Sequence, residues 1–249
     1  MKLKIITFNI WDIPFWFSKK REERVHRIGD YLKSFNPDII CLQEAFDVKH
    51  RTRIHNALGR ELYNIIEEYD ETRRVLLFKR FDLTGGLVIF SKFPIETSVF
   101  YPFERPMRMA LPERIGRKGF LKTLLKTPEG LLLVVNAHLY QGWRKHNQKM
   151  RTRQLQQLLE NLNEGDHKLP IIMTGDFNED GFKERKHFFT LIRNEKFEDS
   201  AVILKKQFEE TCRTDNQYIL NSLWERLHRL TPYRLDFIFS RPAKNQKIG

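Results

Sequence analysis

The stretch Leu169-Pro170-Ile171-Ile172-Met173-Thr174-Gly175-Asp176-Phe177-Asn178 decides how this chain is read. Its apolar half is a buried strand, which ends by holding out a carboxylate and, two residues on, an amide from one edge. The same figure recurs along the sequence. Asn9 follows Ile5-Ile6-Thr7-Phe8, Glu44 follows Ile39-Ile40-Cys41-Leu42-Gln43, and His138 follows Leu132-Leu133-Val134-Val135-Asn136-Ala137. Asp236 sits in Tyr233-Arg234-Leu235-Asp236-Phe237-Ile238-Phe239. Polar residues at the ends of apolar runs point to one cleft built from strand ends.

Outward from these blocks, strands alternate with helices. Val25, Ile28, Leu32 and Phe35 fall at helical spacing, and Asn36-Pro37 ends that helix because the residue before proline avoids helical geometry. Ile39 to Leu42 is a continuous apolar run, the mark of a buried strand. The pattern predicts a helix over 50–59 and strands over 74–79, 86–90, 120–126 and 131–137. Pro128-Glu129-Gly130 is turn chemistry, so the last two strands form a hairpin. Leu155, Leu158, Leu159 and Leu162 mark a long helix, 183–196 a further one, and 236–240 the last strand present. No repeat, low-complexity segment or Gly/Ser linker interrupts the chain, and residues 1–249 are read as one domain.

Composition sets wider bounds. A chain of 249 residues with 41% hydrophobic residues supports a sizeable core. No apolar run approaches the roughly 20 residues of a membrane-spanning helix. Lys2 and Lys4 before an apolar stretch mimic a signal peptide, but Asn9, Asp12 and Pro14 interrupt it too early, so it is read as a strand. Cys41 and Cys212 make neither a disulfide framework nor a metal quartet, which favours a reducing, cytoplasmic setting. The net charge of +12 favours polyanions, phosphorylated ligands and anionic membrane surfaces without choosing among them. The Arg144–Arg153 stretch is read as a solvated helix face. The stretch from Arg105 to Lys118, rich in Pro and Gly, is read as a basic loop over the site, with Arg108 and Lys118 as substrate-binding cations.

Glu44, Asn9 and the Asp176/Asn178 pair offer oxygen ligands and hydrogen-bonding amides, which suit a hard cation, Mg²⁺ first and Mn²⁺ as a substitute. Such a site beside a histidine and a second carboxylate is what phosphoester hydrolysis requires. Each residue also has an ordinary reading. Asn9 can turn the chain, Glu44 can be a plain strand-end carboxylate, and His138 can be a hydrogen-bonded core histidine. The set and its order speak for a site.

The chain resembles the endonuclease/exonuclease/phosphatase superfamily. The matching blocks are Thr7-Phe8-Asn9, Leu42-Gln43-Glu44, Asn136-Ala137-His138-Leu139, Gly175-Asp176-Phe177-Asn178 and Arg234-Leu235-Asp236-Phe237. The resemblance implies a four-layer α/β/β/α sandwich, two mixed sheets face to face with helices outside. It implies Glu44 as principal Mg²⁺ ligand with Asn9 beside it, and Asp176 as the residue that positions or deprotonates water. It further implies Asn178 on a phosphoryl oxygen, His138 on the phosphoryl or leaving group, and Asp236 orienting a second histidine. That histidine normally follows in a Ser-Asp-His motif, whereas here the sequence stops at Ile248-Gly249 and none of its eight histidines occupies that context. Three readings compete: a truncated chain lacking the final strand, a substituted group, or a binding protein without turnover.

A finer resemblance concerns substrate. Thr7 to Pro14, Ser18-Lys19-Lys20-Arg21, Leu42 to Asp47 and Gly86 to Ile95 are similar to neutral sphingomyelinases. Trp11, Phe15, Trp16 and Phe17 before three basic residues would form a wedge for lipid headgroups, peripheral at a membrane surface. The same aromatics can instead pack beneath the adjoining helix. The expectation is a Mg²⁺-dependent phosphodiesterase acting on a sphingomyelin-type phospholipid. A Mg²⁺-dependent nuclease on DNA or RNA, and a noncatalytic phospholipid- or nucleic-acid-binding module, are the alternatives.

Overall fold

The computed structural model describes residues 1–13, 18–66, 72–75, 79–82, 85–104, 116–165, 168–183, 186–213, 215–216, 218 and 232–243, with backbone alone for 72–75, 79–82 and 186. The described elements run β1 (Ile5–Asn9), α1 (Arg21–Ser34), β2 (Ile39–Gln43), α2 (Val48–Leu58), β3 (Thr72–Val75), β4 (Lys79–Asp82), β5 (Val88–Ser91) and β6 (Ile95–Pro102). They continue with β7 (Gly119–Thr127), β8 (Gly130–His138), α3 (Lys145–Gly165), β9 (Ile171–Asp176), α4 (Lys186–Asn194), β10 (Glu198–Asp199), α5 (Ser200–Ile203) and β11 (Asp236–Arg241).

Two mixed sheets carry the fold. One has three strands in the order β1-β2-β5 and the other six in the order β10-β11-β9-β8-β7-β6, with β3 and β4 forming a separate ribbon. In the first sheet β1 and β2 run parallel and β5 antiparallel. In the second, β8 and β9 are the parallel pair among antiparallel neighbours.

Strand parity explains the layers. Successive side chains point to opposite faces, so in β2 Ile40 and Leu42 pack with Val25, Ile28 and Leu32 of α1 and Ile54 of α2. Ile39 and Cys41 instead meet Leu121, Leu125, Leu132 and Val134 of the other sheet. In β8 the alternate residues Leu133, Val135 and Ala137 pack on Leu155, Leu158, Leu159 and Leu162 of α3. The result is helix, sheet, sheet, helix. Each fully buried Leu, Ile or Phe in these seams contributes about 1.5–3 kcal/mol relative to exposure.

The structure adjusts several sequence expectations. The strand predicted over 74–79 is two strands, β3 and β4, paired antiparallel with Val75 opposite Lys79. The eight-residue β6 was not legible in advance, because it is the outer strand of the six-stranded sheet and leaves much of its length in solvent. Arg151 is not a solvated helix residue: it is wholly buried, its Nε donating to Glu179 Oε2 at 2.9 Å and its Nη1 to the carbonyls of Tyr140 and Gly142. Both cysteines are free thiols. Among the described residues no helix is long and apolar enough to cross a membrane.

Candidate active site

The parity that builds the layers also builds the site. In β9, Ile171 and Met173 face α3 while Ile172 faces the sheet seam, so Thr174 and Asp176 follow it to the seam. In β11, Phe237 and Phe239 occupy the helix side, which turns Asp236 to the seam. In β8, Leu132 and Val134 lie in the seam, and Asn136 and His138 continue that face. Register then aligns them: His138 is paired with Asp176, and Asp176 with Asp236. Asn9, at the last position of β1, is paired with Gln43, the residue before Glu44. Five expected site residues thus meet at one end of the two sheets.

Their distances are short. Asn9 Nδ2 donates to Glu44 Oε1 at 3.1 Å and to Asp176 Oδ2 at 3.0 Å. His138 Nε2 lies 3.8 Å from Glu44 Oε1 and 3.7 Å from Asp176 Oδ2, contacts too long to be hydrogen bonds. Asn178 reaches in from the following turn. Its backbone N–H donates to Asp176 Oδ1 at 2.9 Å, and its Nδ2 donates to the Leu139 carbonyl at 3.0 Å. Lys118 Nζ donates to that same carbonyl at 2.9 Å, which places the cation beside His138 and Asp176. Arg108, the other expected substrate cation, and Phe15, Trp16 and Phe17 lie outside the described residues. Trp11 is half-buried and lines the cleft, with the Arg24 guanidinium 5.4 Å from its ring.

Backbone geometry forces these positions. Gly175 has φ +137°, and a Cβ there would stand 1.9 Å from the Ala137 carbonyl oxygen, so only glycine lets β9 approach β8 next to Asp176. Gly86 does the same for Glu44: a Cβ on it would meet the Glu44 Cα at 2.9 Å, and its carbonyl accepts from the Ala45 N–H at 2.8 Å. Glu44 itself takes φ +55° and Asn178 φ +50°. Such left-handed positions cost free energy for a carboxylate or amide residue and are held by their surroundings.

Three supports were not legible in the sequence. The first joins the sheets: Gln43 Nε2 donates to Asn136 Oδ1 at 2.7 Å and to Thr7 Oγ1 at 3.0 Å, while Asn136 Nδ2 donates to the Leu42 and Val88 carbonyls. The second is Asp12, fully buried, which accepts from Arg21 Nε at 2.7 Å and lies 2.9 Å from His50 Nδ1. Its backbone N–H donates to the Glu44 carbonyl at 3.0 Å, tying the Asn9 turn to the Glu44 turn. Burial works against a charged His50, yet its contacts with Asp12 and Glu22 outweigh burial and raise its pKa. The third is the Arg151–Glu179 pair, which moors the turn after Asp176 to α3. Spacing of i, i+3 and i+4 apolar residues finds a helix face, but it cannot show which polar residue will be folded inside.

Electrostatics set the protonation states. Burial, with Lys118 nearby, drives the His138 pKa well below the usual imidazole range, so the ring is neutral at pH 7. Asp236 is pushed up to about 8, first by burial and then by the charges of Asp176 and Glu44, with Thr211 opposing. Asp176 is also raised by burial, with Lys118, Asn9 and the Asn178 N–H working the other way. Glu44, Asp176 and Asp236 are among six carboxylates that line one cleft of about 940 Å³, which also takes in Asn9, Asn178 and Tyr218.

These residues fit a hard divalent cation. The Glu44 and Asp176 oxygens converge on the same Asn9 and His138 nitrogens, and the burial that raises the Asp176 pKa is a condition a cation relieves. Among the described residues no three His, Cys, Asp or Glu side chains form a ready-made cage. Asn9 Oδ1 accepts from the Trp11 N–H at 2.9 Å, so the amide turns its nitrogen to the carboxylates.

A family model for the "Endonuclease/Exonuclease/phosphatase family" matches residues 6–246. The chain belongs to that family. It is 30% identical over 148 residues to "Inositol phosphosphingolipids phospholipase C" of Schizosaccharomyces pombe, covering 58% of this chain and 32% of that protein. It is 28% identical over 156 residues to "Sphingomyelinase C" of Bacillus cereus, covering 55% and 43%. The matches therefore span less than half the length of these relatives. The fold superposes on D. rerio TDP2, solved with a single-strand DNA product, with TM-score 0.67 over 99% of this chain and 86% of that one, at 19% identity. The expected α/β sandwich and the sphingomyelinase-like resemblance are both upheld.

Proposed function

We propose that this chain is a Mg²⁺-dependent phosphodiesterase acting on a sphingomyelin-type phospholipid. The observation that carries the reading is the convergence of Asn9, Glu44, His138 and Asp176 at one end of the two sheets. Support for the substrate class comes from the sphingolipid-cleaving relatives named above. Glu44, with Asp176 close by and Asn9 orienting both, would hold the cation, which when bound neutralises phosphoryl charge and polarises water.

The protein's own groups divide the remaining roles. Asp176 receives the proton of the attacking water, because its Oδ2 faces the centre of the cleft while Oδ1 is occupied by the Asn178 N–H. Neutral His138 donates a hydrogen bond from Nε2 to a phosphoryl oxygen; the Nε2–H tautomer suits the two carboxylates it faces. Asn178 and Lys118, both tied to the Leu139 carbonyl, line the phosphoryl side. Asp236, the cross-strand neighbour of Asp176, is pushed toward its protonated form first by burial and supplies a proton toward the leaving oxygen.

The test is phosphocholine release from sphingomyelin in mixed micelles with Mg²⁺, beside a chelator control and Asp176→Asn. Release lost in both controls supports the reading. Metal-dependent cleavage of nicked or abasic DNA without phosphocholine release transfers the site to nucleic acid. Binding of either ligand with no turnover leaves a binding module.

A further inference from the structure

A phosphodiesterase whose substrate sits in a bilayer must bring its cleft to that surface. Val202, Ile203, Leu204 and Phe208 are 54, 56, 66 and 82% exposed. Scattered exposed apolar residues are ordinary, but four within seven positions form a patch that calls for a partner. Lys205 and Lys206, also exposed, lie among them.

The segment is held in place from within. Asp199 accepts from the Ala201 N–H at 3.0 Å, and Leu204, Lys205 and Lys206 donate from their N–H groups to the carbonyls of Ser200, Val202 and Ala201. Both Asp199 carboxylate oxygens lie 2.7 Å from the buried Arg234 Nη2, two residues before Asp236. The patch is thus braced on the strand that carries a site carboxylate. Ser200, Ala201, Leu204 and Lys206 line the same cleft as Asn9, Glu44 and Asp176.

We propose that residues 202–208 dock on an anionic phospholipid surface, their apolar side chains entering the acyl boundary and Lys205 and Lys206 meeting headgroups. This seats the cleft mouth on the bilayer. The charge of the whole chain and the neighbouring cleft set the occupant: Glu209 and Glu210 balance Lys205 and Lys206 locally, while the chain carries +12 and the patch borders the cleft read as taking a phospholipid. Lys206 Nζ already pairs with Glu209 Oε1 at 3.3 Å, so Lys205 is the stronger headgroup contact. The purpose of the patch rests on the phospholipase reading, but its test does not.

The experiment is flotation of the whole chain with phosphatidylcholine vesicles, with and without phosphatidylserine. Ile203→Ser/Phe208→Ser should lower the vesicle-bound partition coefficient at least about tenfold, since it removes most of two exposed apolar side chains that would be buried in the docked state. Lys205→Glu should lower it about fivefold or more, an effect that 1 M salt erases. Thermal midpoints and metal-dependent hydrolysis of the soluble ester bis(4-nitrophenyl) phosphate should stay within about twofold of wild type, because these side chains lie outside the packed core. Equal vesicle binding by wild type and the double variant overturns the proposal, as does a wild type that does not float. A concentration-dependent dimer abolished by Phe208→Ser, without flotation, overturns it in favour of self-association. Patch-dependent flotation with no hydrolysis of any phosphoester sustains the docking surface and removes the catalytic reading alone.

Discussion

Asp236 is the cross-strand partner of Asp176 in the antiparallel ladder of β11 and β9. Two carboxylates on one face of adjacent strands repel when both ionise, and burial sharpens the repulsion. The fold holds them there because Phe237 and Phe239 must occupy the opposite face, packed with Phe177.

That pairing makes stability pH-dependent. Folded Asp236 keeps its proton up to about pH 8, whereas an unfolded aspartate ionises near 3.9. Over this window the folded state binds the extra proton, so stability is greatest below about pH 4 for this group and falls as pH rises through about 8. In chelator, Asp236→Asn should raise the thermal midpoint at pH 8 by a few degrees and flatten its decline from pH 5. An unchanged slope would show that Asp236 is solvated.

Removal of either central carboxylate should silence turnover. Glu44→Gln and Asp176→Asn are each expected to lower any Mg²⁺-dependent phosphoester rate well over tenfold, at roughly wild-type thermal stability. Full activity in both variants would remove the proposed site.

The Arg151–Glu179 pair is a buried charge pair whose halves depend on each other. Arg151→Met should destabilise the protein by about 3–5 kcal/mol in urea titrations, by removing the guanidinium that pairs with buried Glu179. Arg151→Met/Glu179→Leu should recover much of that loss. Equal destabilisation in the single and double variants would mean that packing, not charge, sets the cost.

Asn136 joins the sheets through Gln43 and the Leu42 and Val88 carbonyls. Asn136→Leu should cost about 1–3 kcal/mol for each buried group left without a partner. Because Gln43 precedes Glu44, kcat should fall more than KM changes. A loss confined to stability would assign Asn136 to the core alone.

Gly175→Ala should fold poorly. The added methyl meets the Ala137 carbonyl, and φ +137° is costly for alanine, so a loss of about 3 kcal/mol or more is expected. A midpoint within a degree of wild type would show that β8 and β9 can separate freely at this point.

Much of this was legible in advance for definite reasons. Continuous apolar runs ending in Asn9, Glu44, His138 and Asp176 reported the strands β1, β2, β8 and β9, and helical spacing reported α1 and α3. The edge strand β6 was hidden because half of it faces water, and the division into β3 and β4 because the sequence over 74–79 has no Gly, Pro, Asn or Asp to break the run. Arg151 was misread because a helix's polar residues look alike in sequence whether they meet water or a buried glutamate.

The sequence by itself determined the alternation of elements, the strand-end placement of the polar residues and the oxygen-rich chemistry of the donor set, since these follow from local periodicity and residue type. Only the tertiary structure decided which ends meet. Cross-strand register put His138, Asp176 and Asp236 in one row, and the inter-sheet contact of Gln43 with Asn136 brought Glu44 and Asn9 to face it. Register and sheet packing are fixed by contacts between residues far apart in the chain, and these set the shifted protonation of His138, Asp176 and Asp236.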